Sequence, residues 1–174
     1  MNNVPVSDMM PDNYLPDMNS PNMPFWQGIE QFNGGEFYAC HDTIEALWMV
    51  ANEPDRTFYQ GILQIAVALH HLSNLNWRGA AILLGEGLNR LTKYDDHYSG
   101  IDVDRFITQV ADVLHFLQVM GPERVEVAAI YLGLRSGPIA DPIAPPDSMP
   151  AIVLPKITAW AQAPMTHPAP GFRA

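Results

Sequence analysis

The chain has 174 residues, 48% of them hydrophobic, with 19 acidic and 9 basic side chains and a formal net charge of −10. That is one domain of ordinary size with enough apolar material for a core, which excludes wholesale disorder. The acidic surface repels phosphate backbones and excludes generic nucleic-acid binding, and no apolar run reaches the roughly 18 residues of a membrane span.

Proline divides the chain into three. Residues 1–24 hold five prolines and predict an irregular leader. Residues 25–120 hold only Pro54 and carry the helical periodicity. Residues 121–174 hold ten prolines, a density that breaks helices and central strands, and predict a Pro-rich arm. The N-terminus has no basic cluster and no long apolar stretch, so it does not read as a secretory signal. Cys40 is the single cysteine, so no intrachain disulfide can form. A reducing, cytoplasmic compartment is expected.

Within the middle block a short helix is expected over 25–32, ended by Asn33-Gly34-Gly35. A second follows over 36–51. The turn Asn52-Glu53-Pro54-Asp55 comes next, with Asp55 expected to cap a third helix over 56–75. Phe58, Ile62, Ile65, Leu69 and Leu72 step by four, three, four and three, which marks a packing seam. Asn76 is placed to cap a fourth helix carrying Ala80, Leu83, Leu84, Leu88 and Leu91. After the loop 94–100, Asp102 opens a fifth helix to Met120, with Phe106, Val110, Val113, Leu114 and Leu117 inward. Strand alternation is absent. Short connections favour antiparallel neighbours, hence an all-α up-and-down bundle of four to five helices.

Polar residues concentrate on the second and third helices. His41 and Glu45 are four apart and share a face with Ile44 and Trp48, with Asp42 to one side. Arg56, Gln60 and Gln64 form a row bordering the apolar seam, and Gly61 beside them allows close backbone approach. Two readings of His41 and Glu45 stand open. One is a buried hydrogen-bonded cluster in which Arg56 pairs with Glu45 or Asp42 and the glutamine amides bridge. The other is a divalent-metal pair, since i, i+4 spacing suits two ligands on one cation, with Asp42 or His70 as third ligand. His70 and His71 cannot both face the same way. The acidic loop at Asp95 and Asp96 is a weak cation candidate.

The stretches FNGGEFYACHDTIEALW, RTFYQGILQIAVALHHLSNLNWRGAAILL and SGIDVDRF resemble, in order, the motifs of the DUF309 family over about residues 30–107. The resemblance implies an all-helical fold of unknown function, with a metal-dependent hydrolase label attached. By motif position it singles out His41, Asp42, Glu45, Trp48, Gln60, Gly61, Gln64 and His70. Asp42 stands where the family has Glu, which shortens that carboxylate's reach by one methylene.

In residues 121–174, acids and bases balance at four each, and AIVLPKITAW is apolar beyond what a free linker needs. An extended arm is expected there, with Trp160 buried on the bundle or on a partner chain and a short helical turn near 157–161. The preferred reading is a structural or interaction protein, an accessory subunit that binds a protein partner through this arm. Arg56, Gln60, Gln64 and Trp160 are its candidate binding residues, and an oligomer is compatible with it. The runner-up is a metal-dependent hydrolase using His41, Glu45 and Asp42 or His70.

Overall fold

The computed structural model describes residues 22–138 and 152–160, so the leader expected over 1–24 lies almost wholly outside the described residues. The described chain is all-α with one small hairpin: α1 (Met23–Asn33), α2 (Phe37–Val50), α3 (Asp55–Ser73), α4 (Trp77–Leu91), β1 (His97–Tyr98), β2 (Ile101–Asp102), α5 (Val103–Met120) and α6 (Val125–Tyr131). A 3-10 turn, Pro122–Arg124, leads into α6. Consecutive helices from α1 to α6 pack on one another. The short links 34–36, 51–54 and 74–76 leave each helix in the first four little choice of neighbour.

The seam read on α3 is the centre of the core. Phe58, Ile62, Ile65, Leu69 and Leu72 are all fully buried. They meet Phe32 of α1, Ile44 of α2, Leu84 and Leu91 of α4, and Phe106, Val110 and Val113 of α5 in one continuous cluster. Glycine sets how closely α3 and α4 approach. A Cβ on Gly61 would lie 2.7 Å from Leu91 Cδ2, and one on Gly87 would lie 2.6 Å from Ile65 Cγ1 and 2.9 Å from the Gly61 carbonyl oxygen. Leu83 and Leu88 are only partly buried, because Gly87 occupies the closest approach.

Two helix starts are capped by a side chain, at Asn76 as expected and at Asp102, where the fifth helix is expected to open. Asn76 Oδ1 accepts from the Gly79 amide at 2.9 Å, and Asp102 Oδ1 from the Arg105 amide at 3.0 Å. The start of α3 differs. Asp55 is its first residue, and Glu53 Oε2 accepts from the Thr57 amide at 3.2 Å. Asp55 instead accepts from the Tyr98 hydroxyl at 2.6 Å, while the Tyr94 hydroxyl donates to the Pro54 carbonyl at 2.6 Å. The hairpin is thereby pinned to the head of α3, with Phe58, Tyr94 and Tyr98 ring centroids 4.7 to 5.2 Å apart. Strands of two residues are too short to leave an alternating pattern, so they were invisible in the sequence.

The segment expected as a Pro-rich arm contains α6, a helix of seven residues that buries Ala128 and Ala129. Small side chains gave it little periodic signal. Farther on, residues 152–160 lie extended against the bundle. Asn33 clamps the backbone of Ile157: its Nδ2 donates to the carbonyl at 2.7 Å, and its Oδ1 accepts from the amide at 2.8 Å. Gln109 Oε1 accepts from the Lys156 amide at 2.8 Å. Ala159 bridges antiparallel to Ile101, and the Trp160 amide donates to the Gly100 carbonyl at 2.9 Å. Ile152 and Ile157 are buried.

Residues 152–160 are extended, as expected for that stretch; two details of it differ. Residues 157–160 form no helical turn, because Ile157, Thr158 and Trp160 spend backbone groups on Asn33, the Asp102 amide and the Gly100 carbonyl. Residue 161 lies outside the described residues. Trp160 is 40% exposed rather than buried, with its ring stacked on His97 at 4.7 Å.

Candidate functional site on the second helix

The buried side chains of α2 are Phe37, Cys40 and Ile44, an i, i+3, i+7 stripe that fixes the helix's inward face. His41 follows Cys40 by one residue and so sits about 100° round the helix. The polar residues therefore flank the core instead of entering it. No polar or charged residue is fully buried among the described residues. This corrects the expectation of a buried His/Glu/Arg/Gln network.

His41 Nδ1 lies 3.2 Å from Asp42 Oδ1, with side chains 31% and 59% exposed. Glu45 joins them: one ligand atom each from His41, Asp42 and Glu45 lie within 4.8 Å of one another. At that spacing the three donors can face a single divalent cation. His70 stands apart from this group. Its ring lies against Tyr38 at a centroid distance of 6.0 Å, and Tyr38 also stacks on His41 at 6.3 Å. His70 Nε2 is 3.2 Å from Asn74 Nδ2, while His71 Nδ1 is 3.2 Å from Asn76 Nδ2. The two histidines thus point to different neighbours, as the helical spacing required.

Arg56 forms no ion pair with Glu45 or Asp42. Its guanidinium carbon stands 4.8 Å over the Trp48 ring, a cation–π contact near the surface. The planar guanidinium loses less hydration over an indole than in a buried pair, and both carboxylates remain in water. Gln64 Nε2 donates to Glu86 Oε2, which ties α3 to α4. Trp48 Nε1 and Gln64 Oε1 are buried atoms without a hydrogen-bond partner among the described residues. Gln60 is half-buried on the same face of α3. Cys40 is fully buried, and that burial pushes its thiol up to about 12, as suits a small core residue.

The outer side of α2 forms a stripe. Tyr38, Asp42, Glu45 and Met49 follow at i, i+4, i+7 and i+11. Tyr38 is 65% exposed and Met49 61%, and Val50 beyond them is 80% exposed. Sequence reasoning missed Asn33, Gln109 and Lys156. Asn33 read only as part of a helix stop, and nothing local to the other two points to contacts more than 40 residues away in the chain.

No helix among the described residues is long and apolar enough to cross a membrane. An uncharacterised protein of Aquifex aeolicus (strain VF5) is 25% identical over 96 residues, which is 55% of this chain and 29% of that protein. The chain therefore matches under a third of that relative's length. No solved structure matches the chain. A family model, a domain of unknown function named DUF309, matches residues 25–83. That span ends within α4, so SGIDVDRF at the head of α5 lies beyond it, and the match is shorter than the resemblance read from the motifs. The matched residues 25–83 run from α1 into α4, include the His41, Asp42 and Glu45 cluster, and are similar to a DUF309 domain over about a third of the chain.

Proposed function

We propose that the protein acts as an interaction or accessory subunit that presents the outer stripe of α2 to a protein partner. The observation that supports this most is the exposure of Tyr38, Met49 and Val50 on a helix whose other side is firmly in the core. Single exposed apolar residues are ordinary, but an aromatic, a thioether and two carboxylates in one stripe make a compact, mixed surface. Asp42 and Glu45 at its centre, on a chain of net charge −10, favour a partner surface with basic side chains set among apolar ones. Residues 152–160 of the C-terminal segment pack on their own bundle, held at Asn33 and Ile101 rather than by the α2 stripe.

The test is capture of a partner by the full-length protein from extract of its own cells. The wild-type chain should retain one partner at stoichiometric amounts, less tightly at high salt. Tyr38→Glu and Met49→Glu should lose it without a change in melting temperature. Equal retention by both variants overturns the α2 assignment.

A second reading, a metal-dependent hydrolase, is favoured by the spacing of His41, Asp42 and Glu45. In it these three side chains would hold a divalent cation, which would supply Lewis-acid activation of a bound water. Elemental analysis of protein purified without an affinity tag decides between the readings. Stoichiometric zinc, manganese or iron, lost in His41→Ala and in Glu45→Ala, would support the hydrolase. Metal-free protein that still binds its partner supports the interaction role.

A further inference from the structure

A groove of roughly 650 Å³ lies where the α1–α2 turn, the end of α3, the chain after α6 and the C-terminal segment meet. It shares only Tyr38, at its rim, with the α2 stripe, and it stands independently of the proposed function. Phe37, Leu134 and Leu154 supply apolar wall, and His70 and Lys156 supply polar groups.

Lys156 sets the character of the groove. Its Nζ donates to the Asn33 carbonyl, which uses one of three ammonium donors. Among the described residues no carboxylate lies within ion-pair distance of it; the His41–Asp42 contact is the one such pair. Glu36, the acid lining the groove, is exposed. Burial lowers the Lys156 pKa, which is the sign of a cation without a compensating charge. The backbone around it is fixed by Gln109 on its own amide and by Asn33 on Ile157, so the side chain starts from an anchored position. In a chain of net charge −10, a half-buried cation with no carboxylate partner among the described residues, beside apolar wall, is suited to an anion brought from outside. The volume falls within the range of small-molecule sites, about 300–1,000 Å³.

We propose that this groove binds a small organic anion with an apolar body, its carboxylate on Lys156 and its hydrocarbon against Phe37, Leu134 and Leu154. Leu154 and Lys156 belong to the C-terminal segment, whereas Phe37 belongs to α2. A ligand bridging them ties that segment to the bundle.

The test follows amide resonances of the full-length protein during titration with hexanoate, with uncharged hexanamide and with inorganic phosphate. Hexanoate should shift the Phe37, Leu134 and Lys156 amides saturably, with a Kd of about millimolar or tighter. Hexanamide should bind at least about tenfold more weakly, and phosphate more weakly than hexanoate, since each lacks one half of the recognition. Lys156→Gln should weaken hexanoate at least about tenfold while Lys156→Arg retains it. The proposal is overturned if hexanoate gives no saturable shift at these residues, or if hexanamide binds equally well. Phosphate binding more tightly than hexanoate, or Lys156→Gln leaving the affinity unchanged, overturns it too. The comparison of the three probes on the wild-type chain stands even if a variant fails to fold.

Discussion

Asn33 shows how one side chain can organise a distant part of the chain. It closes α1, yet both atoms of its amide hold the backbone of Ile157, 124 positions away. Asn33→Ala should cost about 1–3 kcal/mol, because it strands a backbone donor and acceptor. The Ile157 amide should then exchange its hydrogen much faster than in the wild type. Unchanged protection of Ile157 would show that Ala159 and Gln109 hold the segment without the clamp. Cys40 behaves in the opposite way, as a purely local core residue. With its pKa pushed from 9.0 to about 12, its thiolate population falls by about 1,000-fold relative to a free thiol. Iodoacetamide at pH 8 should label it only after denaturant is added. Alkaline titration reports on the hairpin. Burial, then the hydrogen bond to Asp55, raises the Tyr98 pKa; burial, then Asp55, raises Tyr59; and burial, then Glu53 and Asp55, raises Tyr94. Above pH of about 10 the unfolded chain loses these protons while the folded chain keeps them. The unfolded state then binds fewer protons, so stability is fully present below that pH and is lost as pH rises through the folded values. Cys40 acts in the same direction. Lys156, with its pKa lowered, acts in the opposite one: the unfolded chain holds the extra proton, and stability rises as pH climbs toward 10.5. Three phenols and a thiol oppose one ammonium, so the urea midpoint should fall between about pH 9.5 and 11. Tyr98→Phe should make that fall shallower.

At the scale of elements, the α3–α4 pair is set by glycines that look alike in sequence and differ in space. Glycine inside a helix costs up to about 1 kcal/mol relative to alanine, so an unopposed Gly→Ala change stabilises. Gly85 is such a position: a Cβ there would meet nothing nearer than Leu114 Cδ2 at 3.9 Å. Gly87 is not, because its Cβ would press on the Ile65 side chain and on the backbone carbonyl of Gly61, which has nowhere to move. Gly85→Ala should raise stability by about 0.5–1 kcal/mol, and Gly87→Ala should lower it by about 1–3 kcal/mol. Chemical denaturation of both variants checks this, and a stabilising Gly87→Ala would show that α4 can shift at little cost. For the same reason α2 could keep ionisable residues. Its inward stripe is complete with Phe37, Cys40 and Ile44, so His41, Asp42 and Glu45 need no buried partner.

For the whole molecule, the C-terminal segment is an addition to a bundle whose helices already pack in sequence. It buries Ile152 and Ile157 and supplies a third edge to the hairpin. Apolar burial of two isoleucines contributes about 1.5–3 kcal/mol each before the cost of ordering the backbone. Deleting residues 148–174 should therefore leave cooperative melting, with the midpoint lower by about 5–10 °C. The Asp102 amide, which donates to the Thr158 carbonyl in the intact chain, should lose protection at the same time. Loss of cooperativity instead would mean that the bundle requires its arm in order to fold.

The sequence by itself determined the all-α class, the α3 seam residue by residue, the Asn76 cap, the helix start at Asp102, the close approach at Gly61 and the resemblance to DUF309. Those features depend on periods of three to four residues or on neighbours within one turn, and such information is written locally. Only the tertiary structure decided that His41, Asp42 and Glu45 flank the core rather than enter it and that Arg56 covers Trp48. It also decided that Glu53 rather than Asp55 satisfies the head of α3, and that Asn33 and Gln109 hold the C-terminal segment. A helical wheel gives relative angles, and His41 lies close enough to the boundary of the apolar face that the position of α3 settles its exposure. The arm's contacts join residues 47 to 124 positions apart, and no local pattern records which distant amide will meet a given backbone group.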